Sequence, residues 1–130
     1  MQFSERDLAY LLDMYNFCME IISFTKGMRY YHFEKDSKTI RAVERDLGII
    51  GEACNKISEE CKQALPQISW DKIRGLRNRL VHDYGNIVIF KMWEISRKDI
   101  PFLIKELKKI KELKKHIKER AISKTSHKGH

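Results

Sequence analysis

No window of this chain approaches about 18 consecutive apolar residues, the minimum for a membrane-spanning helix, so no transmembrane segment and no membrane partner are expected. The opening residues Met1-Gln2-Phe3-Ser4-Glu5-Arg6-Asp7 lack the basic-then-apolar order of a secretory leader, so the reading is a cytoplasmic protein. Proline (2) and glycine (6) are scarce, which leaves few break points and favours long helices. The three cysteines, Cys18, Cys54 and Cys61, are an odd number without CxxC spacing, and no His/Cys pair has zinc-finger spacing. They read as reduced core thiols, and neither a metal site nor a cofactor is expected. Glycine-rich phosphate loops, repeats and alternating strand patterns are also missing, which argues against nucleotide-binding α/β folds.

What remains is an all-α protein. A chain of 130 residues can bury one hydrophobic core, and an antiparallel bundle of four to five helices is expected over residues 1–120. Residues 121–130 are small, polar and basic, and read as a disordered tail. The net charge of +8 is unevenly placed: residues 1–104 carry 16 basic and 15 acidic side chains, residues 105–130 carry 10 and 3. The excess is C-terminal, and fits either a nucleic-acid contact or a solvated lysine-rich end.

Ser4 followed by Asp7 reads as a helix start, and Leu8, Leu11, Tyr15, Cys18 and Ile22 predict a first helix over about 4–30. The polar run 32–38 reads as a loop. The clearest period is Ile40, Val43, Leu47, Ile50, Cys54, Ile57 and Cys61, spaced 3, 4, 3, 4, 3, 4, a helix-packing seam. Gly48 and Gly51 interrupt that helix and suggest a close neighbour, from this chain or another. Pro66 ends the region, Ser69 is a candidate N-cap, and a third helix is expected over about 70–84, stopped by Gly85. Ile87, Ile89, Phe90, Trp93 and Ile95 open a further helix. Pro101 either kinks it or sits near the start of another capped by Asp99, with a stripe from Ile100 through Ile117.

The chemistry is concentrated in Arg77-Asn78-Arg79-Leu80-Val81-His82-Asp83-Tyr84. On a helix turning about 100° per residue, with Arg77 at 0°, Arg74 falls near about 60°, Asn78 near about 100° and His82 near about 140°. Tyr84, Ile73 and Leu80 fall on the other flank, at about −20°, −40° and −60°. Arg77 therefore stands between an apolar face and a polar groove, where a planar guanidinium suits phosphate; pairing with Glu44 or Glu52 is the competing use. His82 near a helix C-terminus can cap that end, or move protons near neutrality. Metal-independent RNA cleavage needs a group that takes the 2′-OH proton and cationic donors for the phosphorane, and Arg77, Asn78 and His82 meet those needs, with Arg74 as a further phosphate contact. One His cannot be acid and base in the same step, so two copies facing each other in a homodimer are expected.

The pattern Arg77-Asn78-x3-His82 resembles the R-polar-x(3)-H signature of HEPN domains, and with Tyr84 the longer R-x4-H-x-Y form resembles the HepT toxins of HepT/MntA systems. Residues 44–53 (Glu44-Arg45-Asp46-Leu47 onward) resemble that family's helix-two stretch, Pro66-Gln67-Ile68-Ser69-Trp70 its lead-in to the catalytic helix, and Asp99-Ile100-Pro101 a later D-L-P element. The resemblance spans roughly residues 5–115. It implies a homodimeric HEPN fold with a composite, metal-free ribonuclease site, in which Arg77 and His82 are catalytic and Asn78 supports them. It further implies a toxin acting on cellular RNA, with tRNA a target class, held in check by an MntA-like nucleotidyltransferase antitoxin that transfers AMP to Tyr84. The stretch after the motif, Gly85-Asn86-Ile87-Val88, departs from the family in lacking an acidic residue.

Two other functions fit parts of the sequence. The same fold could be a non-catalytic nucleotide- or substrate-binding partner of a nucleotidyltransferase, or a general nucleic-acid binder led by the lysine-rich end. Substituting Arg77 or His82 separates the first from a nuclease, and truncation after about Glu106 tests the second.

Overall fold

The structure, a computed structural model, describes residues 3–76 and 85–117. These residues form an all-α bundle, with no strand among them. Helix α1 (Glu5–Thr25) starts as its sequence requires: Ser4 Oγ accepts the Asp7 N–H at 3.0 Å. Its core face comprises Leu11, Met14, Cys18 and Ile21, all fully buried. Helix α3 (Ser37–Lys56) begins on Asp36, whose carboxylate accepts the Thr39 N–H at 3.1 Å, and buries Val43, Leu47, Ile50 and Cys54 against α1. The predicted 3, 4 seam is therefore the central helix contact of the molecule.

There are more helices than the four to five expected, because three expected elements are each divided. The first ends at Thr25 rather than near residue 30; Gly27 takes a positive φ of 76°, and a short helix α2 (Tyr30–Phe33) follows. Phe33, read as loop, is fully buried, and its ring lies 5.2 Å from that of Trp93. The second breaks at Ile57, which is extended, and helix α4 (Glu59–Ala64) restarts on Ser58. The seam survives because Ile57 and Cys61 remain buried on either side of the break. Asp7 explains the break: its two carboxylate oxygens accept the Ser58 N–H at 2.9 Å and the Ser58 hydroxyl at 2.7 Å, drawing the start of α4 onto α1.

The last expected helix is also divided. Helix α6 (Asn86–Glu94) runs into a wide π-helical turn over Ile95–Asp99, then into α7 (Ile100–Lys108). Both possibilities raised for Pro101 are partly realised: it sits at the start of α7, and the distortion precedes it. Proline cannot donate to the carbonyl of Arg97 and its ring crowds that group, so the preceding turn widens. Asp99 occupies the position before α7 but makes no capping hydrogen bond. Helical structure resumes over 111–117 after a turn at 109–110, with Ile110 and Leu113 buried. Among the described residues no helix is long and apolar enough to cross a membrane.

Arg97 ties the two halves together. One guanidinium nitrogen donates to the Thr25 carbonyl at 2.8 Å and the Met28 carbonyl at 2.7 Å, and the group lies 4.3 Å from the centre of the Trp93 ring. The Thr25 carbonyl at the end of α1, which also accepts the Met28 N–H at 3.1 Å, thus receives a cationic cap from an element 72 residues away.

Candidate active site

Arg77, Asn78, His82 and Tyr84 lie outside the described residues, so the structure gives the frame on either side of the motif. On the entry side, helix α5 (Trp70–Arg74) leads toward it. Ser69 stands in the N-cap position without making the expected side-chain hydrogen bond. The indole of Trp70 holds this corner: its Nε1–H is shared between the carbonyls of Lys62 and Leu65, at 3.2 and 3.1 Å. That contact closes the end of α4 and aims α5.

The third helix does not run unbroken from 70. The helix ends at Arg74, and Gly75 and Leu76 form a turn: the Gly75 N–H still bonds to the Asp71 carbonyl at 3.0 Å, and the Leu76 N–H to the Ile73 carbonyl at 3.1 Å. The helical angle placed between Arg74 and the motif spans that turn and ends outside the described residues. Arg74 is half exposed and paired with the carboxylate of Asp71 on its own helix, a partner that phosphate would have to displace. Glu44 and Glu52, considered as partners for Arg77, are exposed.

Leu76, the last described residue before the motif, is buried, and with Ile73, Phe102 and Leu103 it lines a hollow between α5 and α7. Lys72 and Asp99 close the rim of that hollow with an ion pair of 3.2 Å. On the exit side Gly85 is exposed, with φ 62° and ψ −132°. That conformation is open mainly to glycine, and it lets the chain turn directly into α6. Gly85 occupies the cap position, and Asn86 is the first residue of α6.

Gly51, taken as a sign of close helix approach, has no atom within 4 Å of where a Cβ would stand, so no described part of this chain fills that side. One charged group went unnoticed in the sequence. Asp46 is fully buried, its two oxygens have no hydrogen-bond partner, and the nearest cation is the largely exposed Arg45 guanidinium at 3.7 Å. Burial, reinforced by the neighbouring Glu20 carboxylate, pushes its acid up to about 7. Its position, three after Val43 and four before Ile50, puts it on the core face, and that register was the available signal.

The cysteines behave as core thiols. Cys18, Cys54 and Cys61 are buried, and burial pushes all three thiols up, Cys61 to about 11. No cluster of three metal-ligating side chains occurs among the described residues.

The family described as Ribonuclease HepT-like matches residues 14–110, a span that contains the motif and both of its flanks. This chain belongs to that family. Among its curated relatives is the protein named "Putative RNase MJ1216" of Methanocaldococcus jannaschii, 36% identical over 107 residues, covering 82% of this chain and 88% of the relative. Another is "Probable ribonuclease HepT" of Thermococcus cleftensis, 33% identical over 102 residues, covering 78% and 93%. No solved structure matches significantly. For a HepT-like chain, the all-helical frame is the architecture that the motif resemblance implied, and Arg77 through Tyr84 fall inside the matched region.

Proposed function

We propose that this HepT-like protein is a metal-independent endoribonuclease that acts as a homodimeric toxin on cellular RNA, with tRNA as a target class. The observation that carries this reading is the intact Arg77-Asn78-x3-His82-x-Tyr84 motif within the family match. His82 of one copy takes the 2′-OH proton as the 2′-oxygen attacks phosphorus, and His82 of the second copy protonates the departing 5′-oxygen. Arg77 and Asn78 neutralise charge on the phosphorane, and Arg74 adds a phosphate contact when it leaves Asp71. The uncovered side of α3 at Gly51 is consistent with a second copy packing there.

Regulation follows from Tyr84. An MntA-like nucleotidyltransferase antitoxin transfers AMP to the phenolic oxygen, which attacks the α-phosphorus of ATP and releases pyrophosphate. The new phosphate competes with RNA for Arg77 and His82. The exposed turn at Gly85 beside Tyr84 supports access by such an enzyme.

The test is cleavage of total tRNA by purified protein in EDTA, after mass spectrometry has established that Tyr84 is unmodified. Wild type should cut, and His82→Ala and Arg77→Ala should lose at least about 100-fold in rate while remaining folded. Absence of cleavage by unmodified wild type would instead favour a nucleotide-binding partner module.

A further inference from the structure

The positive charge of this chain is concentrated toward its C-terminus, and the described part of that stretch has a definite form. Over residues 105–115, Lys105, Lys108, Lys109, Lys111, Lys114 and Lys115 are all exposed. The two acids among them do little to neutralise the strip: Glu106 is buried and paired with Lys109 at 3.3 Å, and Glu112 is half-buried. Among the described residues, Lys105, Lys108, Lys111, Lys114 and Lys115 have no carboxylate at ion-pair distance.

Four of these lysines border two hollows. Lys108, Lys114 and Lys115 border one open hollow, and Lys111 and Lys115 border the next together with His116. The strip also begins beside the motif frame, since Phe102, Leu103 and Glu106 share a hollow with Leu76, the residue before Arg77. From Leu103 to Lys108 a helical rise corresponds to roughly 7–8 Å, and the strip continues past the turn at 109–110 to Lys115. Three of the five unpaired lysines lie beyond residue 110, where the family match ends.

We propose that Lys105, Lys108, Lys111, Lys114 and Lys115 form a track for the phosphate backbone of RNA, extending the substrate footprint away from the cleavage motif. This rests on the ribonuclease reading above. Charge complementarity selects a polyanion. A lipid surface fits less well, because Leu103, Leu107, Ile110 and Leu113 are turned into the core and leave Phe102 alone, not a row, exposed along this stretch. With a log–log salt slope of about −0.7 per neutralised phosphate on a single strand, engagement of all five would contribute about −3.5.

The experiment uses the full chain carrying His82→Ala, so that RNA binds uncut, and a short fluorescent unstructured RNA read by anisotropy from about 50 to 300 mM salt. Replacing all five lysines with Gln should weaken binding at least tenfold at the lower salt and flatten the slope by about 3.5. A K111Q/K114Q pair, which disturbs the fold least, should give a proportionate share. In the active protein the same changes should raise KM for RNA rather than lower kcat.

Unchanged affinity and slope in folded variants would overturn the track. So would loss of binding to phosphatidylserine vesicles with RNA affinity intact, which would assign the lysines to a membrane surface. Lysine-dependent RNA binding without cleavage by wild type would keep the track and remove the ribonuclease reading. Cleavage whose KM ignores the lysines would do the reverse.

Discussion

Replacing Asp46 with Asn should stabilise this protein at alkaline pH and leave it unchanged near pH 4. Asp46 is fully buried without a hydrogen-bond partner, and its acid is carried from the usual 3.8 to about 7. Between those values the native chain holds a proton that the unfolded chain has released. Stability from this group is therefore fully present below about pH 4 and is lost as pH rises toward 7. At about 1.36 kcal/mol per pH unit, the ionised form costs about 4 kcal/mol above pH 7. Asn keeps the size and removes the charge, but its own buried amide would be short of partners, which brings the expected gain to about 2–4 kcal/mol at pH 8. In a domain of this size that is a rise in Tm of roughly 10 °C. Urea titrations followed by circular dichroism at pH 4.5, 6, 7 and 8, at fixed protein concentration, would show the Asn variant pulling away from wild type with pH. A variant no more stable than wild type at pH 8, or a difference that ignores pH, would refute a buried, unpaired carboxyl.

Other consequences are as direct. Asp7→Ala should cost about 2–4 kcal/mol in chemical denaturation, since it leaves the Ser58 N–H and hydroxyl without their charged acceptor. Burial alone would raise the Asp7 acid, but hydrogen bonds from Ser58 and Ser4 outweigh it and hold it below 3.8, so the Asp7 contribution should persist above about pH 4 and fade as pH drops through the lowered value. Gly85→Ala should lose about 1–3 kcal/mol, measurable as a lower Tm, because φ 62° with ψ −132° strains any Cβ-bearing residue although the space around it is open. Native protein should resist a maleimide at pH 7.5 for hours and take up three equivalents in denaturant, counted by mass spectrometry, because Cys18, Cys54 and Cys61 are buried with raised thiols.

Much of the bundle was legible because apolar spacing dominates where helices pack. The seam from Val43 to Cys61 is the core face of α3 and its continuation, and Ser4 caps α1 as its sequence implies. The break at Ile57 was hidden for the same reason: both sides of it bury the same face, so the apolar period runs through undisturbed. Phe33 was hidden by its polar neighbours, since one ring can fill a gap without producing any period. At the candidate site, the positive φ at Gly85 follows from glycine's conformational freedom, while the end of α5 at Arg74 depends on how Gly75 and Leu76 settle against the α7 side of the bundle. Such tertiary preferences leave no local pattern.

The contact from Arg97 to the end of α1 has a consequence for the order of biosynthesis. Closing a segment of 72 residues adds only about 0.6 kcal/mol of entropy over closing half that length, so the contact is thermodynamically cheap. Its timing is another matter. While the ribosome is still making the chain, α1 can lie against α3, but its contacts with α7 must wait until residues beyond 100 have emerged. The segment 77–84 is synthesised before that, on an unfinished scaffold. A fragment released early would therefore expose apolar α1 surface and meet proteases as an open chain.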